Sequence, residues 1–332
     1  MPTKARNWFN ILAPYRAAKN GRAIFELLIT LIPFLGLWAA IWGLIQAGQY
    51  WAFAGVIPAG ALLVRLFIVQ HDCGHQSFFT SRAANDWTGR FIGLLTLTPY
   101  DHWKQGHALH HAGSGNLDRR GIGDDILTLT VEEYKALTPW GRFKYRVYRH
   151  PVVMFGIGPA LVFIFFHRIP MGDMKKGKPW ASTLLTNAGV ALIYGLMIWA
   201  IGWKVFLLIQ VPTVIVGATI GVWMFYVQHQ FDETHWSRTG EWDRKHAALE
   251  GSSYYALPAP LMWLTGNIGI HHVHHLSSRI PFYNLPKILK DHPELKTVGK
   301  LNFVQSLKTV KLALWDEAAN RMVSFRMARA AG

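Results

Sequence analysis

Four apolar runs decide what this chain can fold into: Ala23–Gln46, Trp51–Val69, Ala181–Ile201 and Val205–Val227. Each is close to the roughly 20 residues that carry a helix across a bilayer. The alternative is a large soluble core with buried helices. It fits poorly in a chain that is 51% hydrophobic and only 16% charged, because four long runs with almost no charge exceed what such a core needs. A fifth run, Val152–Phe166, is shorter and contains Pro159, so it is expected at the interface or dipping into it without spanning. Ile92–Leu97 is too short to span and is placed at the membrane surface. The first run follows a polar, basic head and leads almost directly into the second, so it reads as a retained span rather than a cleaved signal peptide.

The charge sets the orientation. Lys and Arg number 34 against 19 Asp and Glu, a net +15, and the excess is uneven. Lys4, Arg6, Arg16, Lys19 and Arg22 precede the first run; Arg119, Arg120, Arg142, Lys144, Arg146 and Arg149 lie between the second and fifth. Lys175, Lys176 and Lys178 precede the third long run, and Arg238, Arg244 and Lys245 follow the fourth. The links Ala47–Tyr50 and Gly202–Lys204 hold one cation between them. The positive-inside rule therefore puts both termini and all long loops in the cytoplasm, with two tight hairpins outside. Cations that flank spans argue against a nucleic-acid partner. The single cysteine, Cys73, excludes an intramolecular disulfide and reads as a small packing residue.

The expected organisation is one all-α membrane domain of four transmembrane helices in two hairpins under a cytoplasmic helical cap. A head (1–22) is followed by a hairpin (23–70), a polar segment (71–150), an interfacial stretch (151–180), a second hairpin (181–227) and a polar tail (228–332). The tail carries helical spacing at Ile288, Leu289 and Leu295, and again at Leu307, Val310 and Leu314. Thr130, three residues before Glu133, predicts a capped helix start.

Of 16 histidines, nine fall into three short groups: His71 and His75; His107, His110 and His111; His271, His272, His274 and His275. Residues three and four apart share a helix face, so each group points one way, apart from His272, which sits about 100° round from His271. Eight imidazoles at ligand spacing predict a metal site. Since one metal takes about four to six donors, they imply two metals. The topology puts all three groups on one side of the membrane. His229, at the end of the fourth run, is a further candidate ligand, and Asn267, one helical turn before His271 and on its face, could donate directly or through water. The donors disfavour magnesium and calcium, and the lack of clustered cysteines excludes a thiolate site; zinc, copper and iron remain. No Glu-x-x-His of the carboxylate di-iron type occurs. Asp72 is a candidate for orienting a ligating imidazole. Asp118, Asp124 and Asp125 compete for that role, with Arg119 and Arg120 as ion-pair partners. Arg65 is expected to snorkel to the headgroups. His102, His150, His167, His246 and His292 read as surface or interfacial, and several Trp near span ends suit an aromatic belt.

The three groups, in order around two hairpins, closely resemble the histidine boxes of the membrane fatty acid desaturases. The resemblance runs from about Leu62 to Asn284. It extends to Gln70–His75, Gly115–Gly121, Leu129–Tyr134, Gly251–Tyr255 and Gly266–His275, which look most like bacterial acyl-lipid Δ12/omega-6 enzymes. It implies a non-haem di-iron centre held by His71, His75, His107, His110, His111, His271, His274 and His275, with His229 joining them. It also implies O2 as co-substrate, a membrane-lipid acyl chain as substrate, and two electrons from a ferredoxin or cytochrome b5 chain. The location implied is a bacterial inner membrane. Gln76, where a Gly is common, and His235, at an aromatic position, depart from the pattern. No His-Pro-Gly-Gly haem motif is present, so the electron donor is expected to be a separate protein. An unactivated methylene has no acidic proton and no leaving group, so an oxidant made from O2 must take its hydrogens. A lipid, alkane or carotenoid hydroxylase or ketolase remains an alternative. A metal transporter or sensor is another, although it would place ligands at mid-membrane.

Overall fold

A computed structural model describes residues 7–121, 125–170 and 177–330. Lys4, Arg6, Asp124, Lys175 and Lys176 lie outside the described residues. The first hairpin is α1 (Asn20–Gln46) and α2 (Val56–Gly74), joined through a 3-10 turn at Tyr50–Gly55. α3 (Arg82–Leu95) and α4 (Tyr100–Gly113) follow, then α5 (Pro139–Tyr148), a π-helical turn at Val153–Ile157 and α6 (Gly158–Ile164). α7 (Lys178–Ile201) and α8 (Trp203–His229) form the second hairpin; α9 (Ala259–Leu264), α10 (His271–Leu276) and α11 (Leu285–Asp291) complete the cap.

Among the described residues four helices are long and apolar enough to cross a membrane, and they contain the four expected runs. α2 and α8 continue past their last apolar residues, which carries His71 and His229 out on rigid extensions of the spans. The two helices cross closely. A Cβ on Gly60 would meet Val216 and the Gly217 backbone, and one on Gly217 would lie 3.2 Å from the Gly60 carbonyl. Small residues at a crossing let helix backbones approach where lipid offers no competing hydrophobic drive.

The fifth run bends by 56° relative to α5. At its start Arg149 donates to Gln230 Oε1 and the Leu312 carbonyl. At its end Arg168 donates to Asn187 Oδ1 and the Leu97 carbonyl, just before α4. Both ends are thus tied to segments toward the histidine-bearing end of the bundle, and the segment exposes Val152, Ile157, Phe165 and Phe166.

Arg65 corrects an expectation. It does not reach the headgroups but is buried at 1% exposure. Its Nε donates to Thr30 Oγ1 at 3.0 Å, Nη1 to the Trp263 carbonyl and Nη2 to Glu26 Oε2, while the Trp263 ring lies 4.2 Å from the guanidinium. Glu26, inside the first apolar run, is also held by Arg22 at 2.5 Å. A charge at this depth is tolerated because its partners are built in, and the ion pair ties α1, α2 and the end of α9 together.

The tail also differs from its expected helical face. α11 and a short helix Phe303–Thr309 form, but Val310 lies past the helix end and Leu314 belongs to a strand. Among the described residues five short strands occur: β1 (Leu129–Thr130), β2 (Tyr254–Ala256), β3 (Lys300–Asn302), β4 (Leu314–Asp316) and β5 (Arg321–Val323). β4 pairs in parallel with β1 and antiparallel with β5, while β2 pairs in parallel with β3. A few apolar residues at mixed spacing do not separate a helix from a strand whose partner is almost 200 residues away. Thr130 caps the helix Val131–Ala136 in a complete capping box with Glu133, as its spacing predicts. Replacing Arg65 by Met is expected to cost about 3–5 kcal/mol, because it leaves buried Glu26 with only the half-exposed Arg22 as partner. Adding Glu26→Gln should recover part of that loss, as read by unfolding of the purified protein in detergent.

Candidate metal centre

Nine histidines converge into two groups whose ligand atoms lie within 4.8 Å of one another in each group. His71, His75, His107, His111 and His274 make the first; His110, His229, His271 and His275 make the second. The division refines the shared-face expectation. The pairs four apart, His71/His75, His107/His111 and His271/His275, each stay within one group. His110 and His274, one turn along from His107 and His271, cross to the other group. Each adjacent pair, 110/111 and 274/275, therefore straddles the two centres.

The nitrogen geometry fits bound cations. His111 Nε2 faces His107 Nε2 and His274 Nε2, both at 3.1 Å. His271 Nε2 faces His229 Nε2 at 3.1 Å and His275 Nε2 at 3.0 Å. One ring proton cannot serve two nitrogens at once. Nitrogens bound at about 2.0–2.1 Å to one ion lie roughly 2.9–3.4 Å apart for right-angle to tetrahedral arrangements. His75 Nε2 and His110 Nε2 are buried with no hydrogen-bond partner among the described residues, as metal-facing lone pairs would be. Burial, reinforced by neighbouring imidazoles, holds His107, His111, His274 and His275 well below the ordinary histidine value. They are therefore neutral at pH 7, the form that ligates.

Outer partners fix the rings. His71 Nδ1 donates to Asp72 Oδ1 at 3.0 Å, and Asp72 Oδ2 accepts from the Phe282 amide at 2.6 Å, which joins the first box to the chain beyond the third. His110 Nδ1 bonds Asp125 Oδ1, and His229 Nδ1 approaches the Gly251 carbonyl at 3.4 Å. Of the three competing acids, Asp125 takes the orienting role. Asp118 pairs with Arg238 instead, and Asp124 lies outside the described residues. Arg119 donates to the Ala112 carbonyl and Arg120 pairs with Glu133, so among the described residues neither pairs with Asp118 or Asp125.

The helical placement expected for Asn267 is corrected as well. α10 begins only at His271, and Asn267 occupies a left-handed turn (φ +55°) before it. Its N–H donates to the Met262 carbonyl and its carbonyl accepts from Ile270, so the helical-face argument for a ligand does not apply. Gln76 also has positive φ (+57°), a conformation that suits the Gly common at this position. His235 stacks edge-on to His246 at 4.5 Å. His272 points away, as expected, with Nε2 donating to the Leu295 carbonyl at 2.9 Å. Cys73 is fully buried. Trp103, stacked on His107 at 4.7 Å, carried no sequence signal.

Beside the histidines lies a cavity of about 450 Å³, bordered by His71, His107, His271 and Asp125. Its remaining wall is mainly apolar: Leu63, Val64 and Phe67 from α2, Met154 to Phe163 around the π turn and α6, and Val214 to Phe225 from α8. This size suits a small-molecule or lipid chain.

A fatty acid desaturase family model matches residues 49–301 of the 332. The chain belongs to the fatty acid desaturase family. It is 41% identical over 315 residues to a fatty acid desaturase of Bacillus subtilis (strain 168), covering 95% of this chain and 89% of that protein. It is 27% identical over 263 residues to an sn-1 acyl-lipid omega-3 desaturase (ferredoxin) of Synechocystis, covering 76% of this chain and 70% of that protein. An sn-1 oleoyl-lipid 12-desaturase from the same organism is 26% identical over 285 residues, 80% of this chain and 74% of that protein. The desaturase is thus an integral membrane oxidoreductase with its histidine cluster at the span ends. Asp72→Ala and Asp125→Ala should each weaken metal binding roughly 10–100-fold through loss of ring orientation. Competition with a chromophoric chelator would measure this, and unchanged affinity would remove the orienting role.

Proposed function

We propose that this desaturase is an O2-dependent enzyme that inserts a cis double bond into the acyl chain of a membrane lipid, using two iron ions. The observation that carries this reading is the pair of convergent histidine groups bordering a mainly apolar cavity. His71, His75, His107, His111 and His274 would hold one ion, and His110, His229, His271 and His275 the other. Bound iron would supply the oxidising equivalents, drawn from O2, that an unactivated methylene requires. The overall balance is one –CH2–CH2– unit, O2, two electrons and two protons giving –CH=CH– and two water molecules.

The protein's own part is positional. Asp72 and Asp125 keep the Nδ1–H of His71 and His110 engaged, so that Nε2 faces the ion. The cavity wall binds the chain through burial at about 0.8 kcal/mol per CH2 and keeps bulk water from the reacting carbons. Rigid helices α2, α4, α8 and α10 fix the ligands against that wall, so the bound register selects the carbons oxidised. Relatives named for acyl-lipid substrates and, in the Synechocystis case, for ferredoxin support a lipid-borne chain and a small separate electron donor of the ferredoxin or cytochrome b5 kind. The cation-rich loops orient the histidine end toward the cytoplasm, in a bacterial inner membrane.

Expression in a host lacking desaturases, followed by fatty acid methyl ester analysis, should reveal a new double bond; a new hydroxyl group would identify the hydroxylase outcome instead. Purified protein should carry close to two irons per chain, with iron and activity lost together in His110→Ala. One zinc per chain in the active preparation would overturn the proposal.

A further inference from the structure

The cavity has two ends of different character. Its polar wall groups gather at the histidine end, and each is engaged by the protein. Asp125 holds His110, Thr96 Oγ1 donates to Gln70 Oε1 beside His71, and Gln228 Nε2, next to His229, donates to the Ile268 carbonyl. Tyr148 OH accepts from the Leu127 amide, and the His167 ring bonds the Leu97 backbone next to Thr96. Farther along the spans the wall is Leu63 and Val64 from α2 with Val214, Gly217, Ala218 and Gly221 from α8, none of which carries a polar side-chain atom. The wall ends where the two spans meet. A Cβ on Gly217 would lie 3.2 Å from Leu63 Cδ2, and both residues line the cavity.

Gly158, Gly217 and Gly221 all border this space, and close contacts explain the first two. A Cβ on Gly158 would lie 2.8 Å from the Val153 carbonyl, and one on Gly217 3.2 Å from the Gly60 carbonyl. Gly221 differs. A Cβ there would meet nothing within 4 Å, and the residue sits in the interior of α8 without positive φ. Neither backbone conformation nor helix contact therefore requires glycine. Val214, Gly217, Ala218, Gly221, Phe225 and Gln228 recur at helical spacing, which puts them on one face of α8 with Gly221 near the middle of the arc. The open space beyond its Cα is thus the cavity itself. Gly221 lies one turn from Phe225, whose ring packs on His110 and His229 at 5.0 Å each, and about 10 Å along the helix axis from Val214.

An acyl chain is polar only at its carbonyl end, and burying a polar atom without a partner is costly, so its methyl end belongs in the apolar part of the cavity. To reach that part from the metal centre the chain passes Gly221. We propose that Gly221 is a specificity-determining position: its missing side chain keeps open the path of the methyl-terminal segment between the metal centre and the contact of α2 with α8. This deepens the desaturase reading and rests on it for the identity of the chain. The length of tail that fits beyond the oxidised carbons is then set by the space at Gly221. A side chain there blocks long tails first and leaves the histidine groups, more than a helical turn away, untouched.

The test compares wild type with Gly221→Ala and Gly221→Leu, expressed in a host without desaturases that is fed myristate and stearate. The fraction of each chain converted is read by gas chromatography, and the double-bond position from dimethyl disulfide adducts. Gly221→Leu should lower the ratio of stearoyl to myristoyl conversion about tenfold at unchanged iron content. Any stearoyl product that remains should carry its double bond closer to the methyl end. Gly221→Ala adds one methyl group, shifts the ratio the same way by a smaller factor and keeps the test decisive where the Leu variant fails to accumulate. Native mass spectrometry of the purified holoenzyme supplies a readout independent of turnover: Gly221→Leu should retain less distearoyl than dimyristoyl phosphatidylglycerol relative to wild type. An unchanged chain-length ratio and bond position would overturn the proposal, and so would an equal loss on both chains with iron retained, the mark of a merely structural role. If wild type makes no double bond yet the retention ratio falls in Gly221→Leu, the assignment of Gly221 stands and the desaturase reading falls.

Discussion

Nine imidazole nitrogens facing inward within two small volumes are the constraint on which the fold depends. Neutral rings at 3.0–3.1 Å that cannot all share protons gain little from one another, so the packing around them must hold them there in readiness for cations. The spans supply that rigidity. α2 and α8 run past the apolar zone in unbroken helix to deliver His71 and His229, and their close crossing at Gly60 and Gly217 sets the spacing between them. α4 and α10 lie across these ends and contribute to both groups.

The division within the boxes follows from helix geometry. A ligand pair four residues apart sits nearly one above the other, suited to a single ion, while the residue three along is rotated toward a neighbouring site. An adjacent His-His pair is therefore the means by which one short helix reaches two centres. The outer acids lock this arrangement, and Asp72 also binds the backbone after the third box, so the first and third boxes are not independent.

The buried polar groups beneath the centre serve the same geometry. Arg65 and Glu26 tie α1 and α2 to the carbonyl of Trp263, just before the turn that carries the third box. The mainly apolar cavity passes between α2, α8 and the π turn, which contributes Val153 and Met154 to its wall.

The spans, their pairing into hairpins and the candidate ligands were legible in the sequence, because hydropathy over about 20 residues and i, i+3, i+4 spacing are local properties. The capping box at Thr130 was legible for the same reason. Other features depended on partners distant in the chain. Nothing local to Arg65 announces Glu26, 39 residues earlier, and nothing separates Asp118 from Asp125 until Arg238 and His110 claim one each. Asn267 sits in a left-handed turn rather than on the helix of His271, a conformation that its local sequence did not announce. The sequence by itself determined which residues could meet at the membrane surface. Which histidines share a group, which acids orient them and where His167 borders the cavity were decided by tertiary packing, since each rests on contacts between segments the chain brings together only on folding.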